Sequence, residues 1–257
     1  MPLHRLHDHA ALVARSGRDP WLRWALDLLL PHEVWEHEGV ALVERGGERR
    51  GVWVAPLGPG SEEGERVRSA LTVLRDDGHL ERLSSRSVSV PQEHAAVAHR
   101  LLDLGGGGDW EWMWTTREPP LDPREHLLVL LDDRRDAEEI HAFSSAHNPR
   151  VWTEVGTARV VRWVGLRDRR GGLVAVGGAE LEASGAPHLA GVVTAVGKRG
   201  QGLGTVVSAA LTRWALSEHG VCTLGMFSDN DPARSVYRRL GYRTARSWHS
   251  RTLVGAP

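Results

Sequence analysis

Three glycines stand within five residues, directly before a long amphipathic segment. The stretch Arg199–Gly204 reads R-G-Q-G-L-G, follows an apolar run typical of a strand, and precedes apolar residues at helical spacing. Glycines at the start of a helix let its free N–H groups approach an anion closely, and the helix dipole favours negative charge there. The sequence therefore predicts a diphosphate cradle; the alternative is a glycine-rich turn that binds nothing.

Two common diphosphate motifs do not fit this turn. A dinucleotide-binding G-x-G-x-x-G needs a further glycine where the chain has Thr205 or Val207. A Walker loop needs G-K-S or G-K-T, which the stretch lacks. The ligand is therefore expected to belong to another class of diphosphate.

A second informative segment, Ser228–Arg243, follows an apolar strand. Asp231 is predicted to cap a short helix, with a proline next to it and Gly241 just past its end. Tyr237 lies on the predicted buried face of this helix, together with Ala233, Val236 and Leu240.

Together, the two segments resemble the GNAT superfamily of N-acetyltransferases. The first matches [QR]-x-x-G-x-[GA], and the second matches N-x-x-A-x-x-[LV]-Y-x-x-x-G-[FY], in the right order and at the right separation. The resemblance covers roughly residues 124 to 254 and, with H-L-A-G-V-V-T upstream, looks most like the glycine N-acyltransferase-like and mycothiol-synthase-like branches. It implies an acyl-CoA-dependent N-acyltransferase.

The resemblance also implies roles for particular residues. Backbone groups of the preceding strand would pair with the pantetheine arm of acetyl-CoA, to which the Asn230 side chain would add a contact, and Tyr237 would protonate the departing thiolate. A tyrosine that only packs is the alternative. The expected CoA-binding residues are Val192, Val193, Thr194, Arg199, Gly200, Gln201, Gly202, Leu203, Gly204, Thr205 and Asn230.

The general base is less sharply defined. Many relatives place a glutamate near the start of the strand before the loop, and this chain has His188 there. A histidine has a suitable pKa for taking a proton from an amine. Glu180 and Glu182, at alternating positions on the preceding strand, are its rivals. The single cysteine, Cys222, is expected to be a buried apolar residue of a strand.

Composition restricts the partners. A formal net charge of −1 gives no general attraction to nucleic acid or to an anionic membrane, and no apolar run is long enough to span a bilayer. The fourteen histidines are scattered without metal-ligand spacing, so no metal is expected. The start of the chain does not resemble a signal peptide, which favours a cytoplasmic protein. The expected acceptor is a small-molecule or peptide amine; the alternative function is a non-catalytic acyl-CoA-binding module.

The order of predicted elements indicates an α/β fold with a mostly antiparallel sheet flanked by helices. Residues 124–257 are predicted to form the catalytic domain, and residues 1–117 a degenerate GNAT-like half or a cap of other ancestry. Three local predictions accompany these: a helix over Trp21–Leu30, a flexible turn at Gly105–Gly108, and a linker at Arg117–Glu125.

Overall fold

A computed structural model describes residues 3–28, 34–46, 50–58, 60 and 62–255. The chain divides into two compact units. The first comprises Met1–Trp112, Phe227–Asp229 and Ala245–Pro257; the second comprises Met113–Met226 and Asn230–Thr244. The segment predicted as a linker lies within the second unit.

The first half of the chain contributes six strands and five helices among its described residues. In chain order they are β1 His4–Arg5, α1 His9–Arg15, α2 Pro20–Trp24, β2 Val34–His37, β3 Val40–Arg45, β4 Gly51–Pro56, α3 Glu63–Asp76, α4 His79–Arg82, β5 Ser87–Pro91, α5 Ala95–Leu101 and β6 Leu104–Thr115. A short 3-10 turn, Gln92–His94, leads into α5.

The second half contributes the remaining strands and helices. They are β7 Val129–Leu131, α6 Ala137–His147, β8 Val160–Arg167, β9 Leu173–Leu181, β10 Pro187–Thr194, α7 Leu203–His219, β11 Cys222–Phe227, α8 Asp231–Arg239 and β12 Arg243–Leu253. Two 3-10 turns, Pro123–Leu127 and Val196–Lys198, precede β7 and the glycine turn respectively.

The sheet of the second unit is mostly antiparallel. Strands β7, β8, β9 and β10 pair antiparallel in sequence, whereas β11 pairs parallel with β10. Asp168 closes the β8–β9 hairpin by accepting the N–H groups of Arg170 and Gly172 on its carboxylate. This is the mixed α/β fold, with a mostly antiparallel sheet and flanking helices, that the sequence predicts.

Helices cover both faces of this sheet. On one face, α7 places Val206, Val207 and Leu211 in a buried cluster with Leu224 of β11. On the other face, Ile140 and the adjoining turn of α6 pack on Trp163, Val176 and Val193. Because β10 lies between these two buried layers, its position is fixed on both sides.

The first unit repeats this order of elements. Strands β2, β3 and β4 pair antiparallel, α3 follows, and β5 then pairs parallel with β4. The last strand of the chain, β12, pairs antiparallel with β5 over Trp248–Thr252. The run from β2 to β5 thus has the same order and pairing as the run from β8 to β11, as the sequence order of the elements predicts.

Two local predictions in the front half are wrong. The helix predicted over Trp21–Leu30 ends at Trp24, and residues 29–33 lie outside the described part of the chain. Gly105–Gly108 form part of strand β6 and not a turn. The reason is close packing: a Cβ on Gly107 would lie 2.0 Å from the carbonyl oxygen of Ser250.

None of the helices in the described ranges has both the length and the apolar character that crossing a bilayer requires.

Candidate functional site

The glycine turn forms a left-handed bend that leads into α7. Gly200 and Gly202 have φ angles of +78° and +75°, a conformation that L-residues with a side chain rarely adopt. Gly202 is the N-cap residue directly before α7, and no side chain caps the helix. The glycines at these two positions are therefore required by the backbone path.

The N–H groups of this turn are free to bind a ligand. Within the described residues, the backbone N–H groups of Gly200, Gln201 and Gly202 have no acceptor. The first N–H groups of α7, from Leu203 to Thr205, lack intrahelical partners by the geometry of any helix. A run of unpaired donors at a helix start is the usual geometry of an anion site.

Gly204 lies directly over the end of strand β10. A Cβ at this position would approach the Thr194 hydroxyl oxygen at 3.2 Å, so any side chain here requires a small shift of that hydroxyl. Arg199, the first residue of the motif, turns its side chain away from the glycines and donates to the carbonyl of His147 at 2.6 Å. Its guanidinium thus ties the turn to the end of α6.

The strand before the turn has an open edge. β10 pairs with β11 only at His188↔Thr223 and Leu189↔Leu224, although β10 continues to Thr194. A bulge between Ala190 and Val193 accompanies the separation of the two strands, and Gly191 within it has a φ of +60°. Val192, Val193 and Thr194 therefore present a strand edge on the β11 side that pairs with none of the described residues and leads to the glycine turn.

Tyr237 of α8 is 8% exposed within the core of the second unit. Burial raises the pKa of its phenol to about 12, and the nearby Ser208 hydroxyl on α7 partly offsets this effect. The phenol therefore keeps its proton throughout the neutral and mildly alkaline range. Its ring packs edge-on against Tyr242, with the centroids 5.7 Å apart.

His188 has its ring nitrogen Nδ1 held by two oxygens. Nδ1 lies 2.8 Å from Oε1 of Glu182 and 2.9 Å from the hydroxyl of Thr223. Because Thr223 donates its own proton to the carbonyl of Pro187, its oxygen accepts from His188. The network therefore assigns the proton to Nδ1 and leaves the lone pair on Nε2 in the neutral ring.

The charge around His188 favours its protonated form. Burial lowers the pKa of the imidazole, but the negative charge and hydrogen bond of Glu182, with the charge of Glu180, outweigh burial and raise the pKa. Glu180 lies opposite His188 in the register of β9 and β10. Burial raises the pKa of Glu180 as well, and the positive charges of His188 and Arg159 oppose that rise. The structure thus brings the three candidate base residues together.

The start of α8 corrects one prediction. Asn230, not Asp231, caps this helix, and its Oδ1 accepts the N–H of Ala233 at 3.2 Å. The reason is position: Asp231 is already the first residue of the helix, where its carboxylate pairs with Arg234. The side-chain oxygen of Asn230 thus caps the helix, and its side-chain NH2 group can donate to another partner.

Cys222 has the structural role expected of it. It is fully buried in β11, and burial raises the pKa of its thiol to about 12. A thiol of this kind is not a nucleophile at neutral pH.

Sequence reasoning did not find two residues of this region. Arg124 donates to the carbonyl of Gln201 at 2.8 Å, and Thr223 contacts His188. No motif marks either residue, since Arg124 is 77 positions from Gln201 and Thr223 is 35 positions from His188. Only the strand pairing and the path of the segment before β7 bring them to the site.

Comparison with known families identifies this arrangement. The sequence pattern of the Acetyltransferase (GNAT) family matches residues 109–242, just over half of the chain. The chain belongs to the GNAT family of acetyltransferases. The match contains both the glycine turn and the Tyr237 segment. A search of curated proteins by sequence finds no match.

Solved structures of GNAT proteins resemble the whole chain. A GCN5-related N-acetyltransferase from Kribbella flavida is 18% identical with a TM-score of 0.55, covering 96% of this chain and 94% of that one. One from Sphaerobacter thermophilus is 13% identical with a TM-score of 0.57, covering 98% and 94%. A putative GNAT acetyltransferase from Novosphingobium aromaticivorans is 19% identical with a TM-score of 0.52, covering 82% and 89%. At these identities the resemblance shows the fold.

Proposed function

We propose that this GNAT protein transfers an acetyl or other small acyl group from acyl-CoA to a primary amine of a small molecule or peptide. The observation that carries the proposal is the open edge of β10 leading into unpaired N–H groups at the start of α7. Pantetheine would add to the edge at Val192–Thr194 as an extra strand, and the diphosphate would bind the turn Arg199–Gly204 and the N–H of Thr205.

The transfer itself needs one base and one acid. The acceptor amine attacks the thioester carbonyl, a C–N bond forms, the C–S bond breaks, and CoA leaves as a thiolate. Nε2 of His188 would take the proton that the amine loses, because the lone pair of the neutral ring lies on that atom. The Tyr237 hydroxyl would return a proton to the sulfur of CoA.

Glu180 remains the rival for the base. Its raised pKa brings a carboxylate closer to the range in which it can accept a proton at neutral pH. However, a general base must be unprotonated before the reaction. In the neutral ring of His188 the lone pair that accepts the proton lies on a defined atom, Nε2. We therefore propose that Glu180 is not the base and that its negative charge helps to raise the pKa of His188.

A non-catalytic acyl-CoA sensor is the second candidate function. A sensor needs the glycine turn but neither Tyr237 nor the His188–Glu182 pair, and the chain has all three features. The deciding experiment is a screen of primary amines, from amino acids to amino-sugar antibiotics, that records acetyl-CoA-dependent release of free thiol. Amine-dependent release supports the enzyme; acetyl-CoA binding without release for any amine class supports the sensor.

The front half is proposed to be a degenerate GNAT-like domain spanning residues 1–117, ahead of the catalytic domain at 124–257. Its element order repeats that of the second unit, which supports common descent. The counterpart of the glycine turn, however, leads into a helix whose first turn carries Glu63 and Glu65. Negative charge at that helix start repels a diphosphate. We therefore propose that this half binds no CoA of its own.

The pH dependence of the reaction tests the base. His188 must be neutral to accept a proton, and its pKa lies above the ordinary 6.5. The rate is therefore expected to be low at acidic pH and to rise through that raised pKa. Glu182→Gln removes the charge that raises the pKa, so the rising limb of kcat/KM should move to lower pH.

Two further variants complete this test. Glu218→Gln, at an exposed position near the end of α7, makes the same chemical change and should leave the limb in place. His188→Ala should abolish the limb and lower kcat by about a hundredfold or more, the usual worth of a general base. If the limb persists in His188→Ala and disappears in Glu180→Gln, Glu180 is the base.

A further inference from the structure

Arg124 contacts the glycine turn from outside the known motif. It lies in the 3-10 turn Pro123–Leu127 and donates from one guanidinium nitrogen to the carbonyl of Gln201 at 2.8 Å. A second guanidinium nitrogen lies 3.1 Å from where a Cβ on Gly202 would be. Arg124 therefore lies against the peptide bond that joins Gln201 to Gly202.

The guanidinium is held in this position from the other side. Nε and the second terminal nitrogen donate to the two carboxylate oxygens of Asp122 at 2.9 and 2.7 Å. Asp122 in turn takes part in a capping box with Glu125. Glu125 forms an ion pair with Arg213 of α7. Arg213 also donates, at 3.0 Å, to the carbonyl oxygens of the two consecutive prolines that precede Asp122 in the chain. The segment that presents Arg124 is thus anchored to the same helix that begins at the turn.

This contact fixes the direction of one N–H group. In a trans peptide unit the C=O and the following N–H point in opposite directions within one plane. Because Arg124 binds the Gln201 carbonyl on one side, the Gly202 N–H points to the other. That N–H has no acceptor among the described residues. Left to itself, a Gln-Gly peptide can flip, since glycine adopts both signs of φ readily.

We propose that Arg124 is a positioning residue for CoA: it locks the Gln201–Gly202 peptide so that the Gly202 N–H faces the diphosphate. This inference rests on the proposed function of the turn as a CoA site. Net charge is not the basis, because the bidentate pair with Asp122 offsets the positive charge beside the turn. The hydrogen bonds that Arg124 donates from its side chain and its backbone N–H hold the pKa of Asp122 down at about 2, so the pair stays ionised at any working pH.

The test is calorimetric titration of the whole chain with CoA and with CoA lacking its 3′-phosphate. Arg124→Ala is expected to weaken both ligands roughly tenfold, the worth of a charge-assisted hydrogen bond. Arg124→Lys keeps the charge but cannot hold Asp122 and Gln201 together, so it should behave like the alanine variant. Asp122→Asn should weaken binding about threefold, because it loosens Arg124 while the size of the side chain is kept.

The matched control is Arg135→Ala, which removes an arginine paired in the same way with a neighbouring aspartate, Asp136, at an exposed site. It should bind CoA as the wild type does. Wild-type affinity in Arg124→Lys, or tighter binding in Asp122→Asn, would mean that charge alone matters and would overturn the proposal. A loss confined to CoA that carries the 3′-phosphate would overturn it too, by showing a direct contact with that group. If the wild type bound no CoA, the proposed function itself would fail.

Discussion

Gly204→Glu is expected to abolish CoA binding while the protein stays folded. The new carboxylate would stand in the first turn of α7, beside the Thr194 hydroxyl, where the diphosphate is proposed to bind. Opposed like charges at a binding site cost several kcal/mol, so affinity should fall by more than about a hundredfold. A glutamate in the first turn of a helix favours the helix itself, so the melting temperature should not fall much.

Two variants at Gly204 separate size from charge. Gly204→Ala adds only a Cβ at 3.2 Å from the Thr194 oxygen and should retain CoA binding. Gly204→Gln adds the size of glutamate without its charge and should fall between the two. Gly202 is a poorer site for this test. A side chain there would strain a backbone with a φ of +75° and crowd Arg124, so the substitution would disturb the fold as well. If calorimetry shows that Gly204→Glu binds CoA as tightly as the wild type does, the turn is not part of the CoA-binding site.

Tyr237→Phe is expected to lower turnover by about a hundredfold, the low end of the range for losing a general acid. The low end applies because a phenol with a pKa of about 12 is a weak donor and water can protonate a thiolate in its place. CoA affinity should not change, so the loss should appear in kcat. Stability should change by no more than about 1 kcal/mol, since the ring and its packing remain.

Tyr242→Phe is the matched control for this variant. It removes the same hydroxyl from a neighbouring buried ring, where that group bonds Thr212 at 2.7 Å. It should cost about 1 kcal/mol of stability through the lost hydrogen bond and leave kcat unchanged. Equal turnover in the wild type and Tyr237→Phe would contradict the acid role and make Tyr237 a packing residue.

Local features of the sequence predicted the backbone structure of the candidate site where one continuous segment carries the whole signal. The turn Arg199–Gly204 and helix α7 lie within one continuous stretch, so glycine spacing and apolar periodicity suffice to predict them. The same holds for the three hairpin-linked strands before the turn, whose order the structure confirms. The family assignment follows from these continuous segments.

Contacts between segments that lie far apart in the chain could not be predicted from the sequence. The hydrogen bond of Arg124 to Gln201 depends on how the segment before β7 folds back on α7. The contact of Thr223 with His188 depends on the register of β10 and β11. Neither follows from residue types, because many registers are compatible with the same apolar pattern.

Glycine-rich runs also carry an ambiguous signal. Gly105–Gly108 indicate a turn by composition, yet they form part of strand β6, where the backbone of Ser250 leaves no room for a side chain on Gly107. A glycine serves both purposes, conformational freedom and close approach, and only the packing distinguishes them.

Titration of the whole chain with acetyl-CoA tests the central claim most directly, because it counts the sites. One equivalent per chain is predicted, because only the second unit combines, among its described residues, the open edge of β10 with the glycine turn. In the first unit, Glu63 and Glu65 lie in the first turn of the corresponding helix, α3. The Arg66 guanidinium also lies 3.1 Å from the Cβ position of Gly60, just before that helix. That one equivalent should disappear in Gly204→Glu. Two equivalents, no binding, or one equivalent that survives in Gly204→Glu would contradict the account.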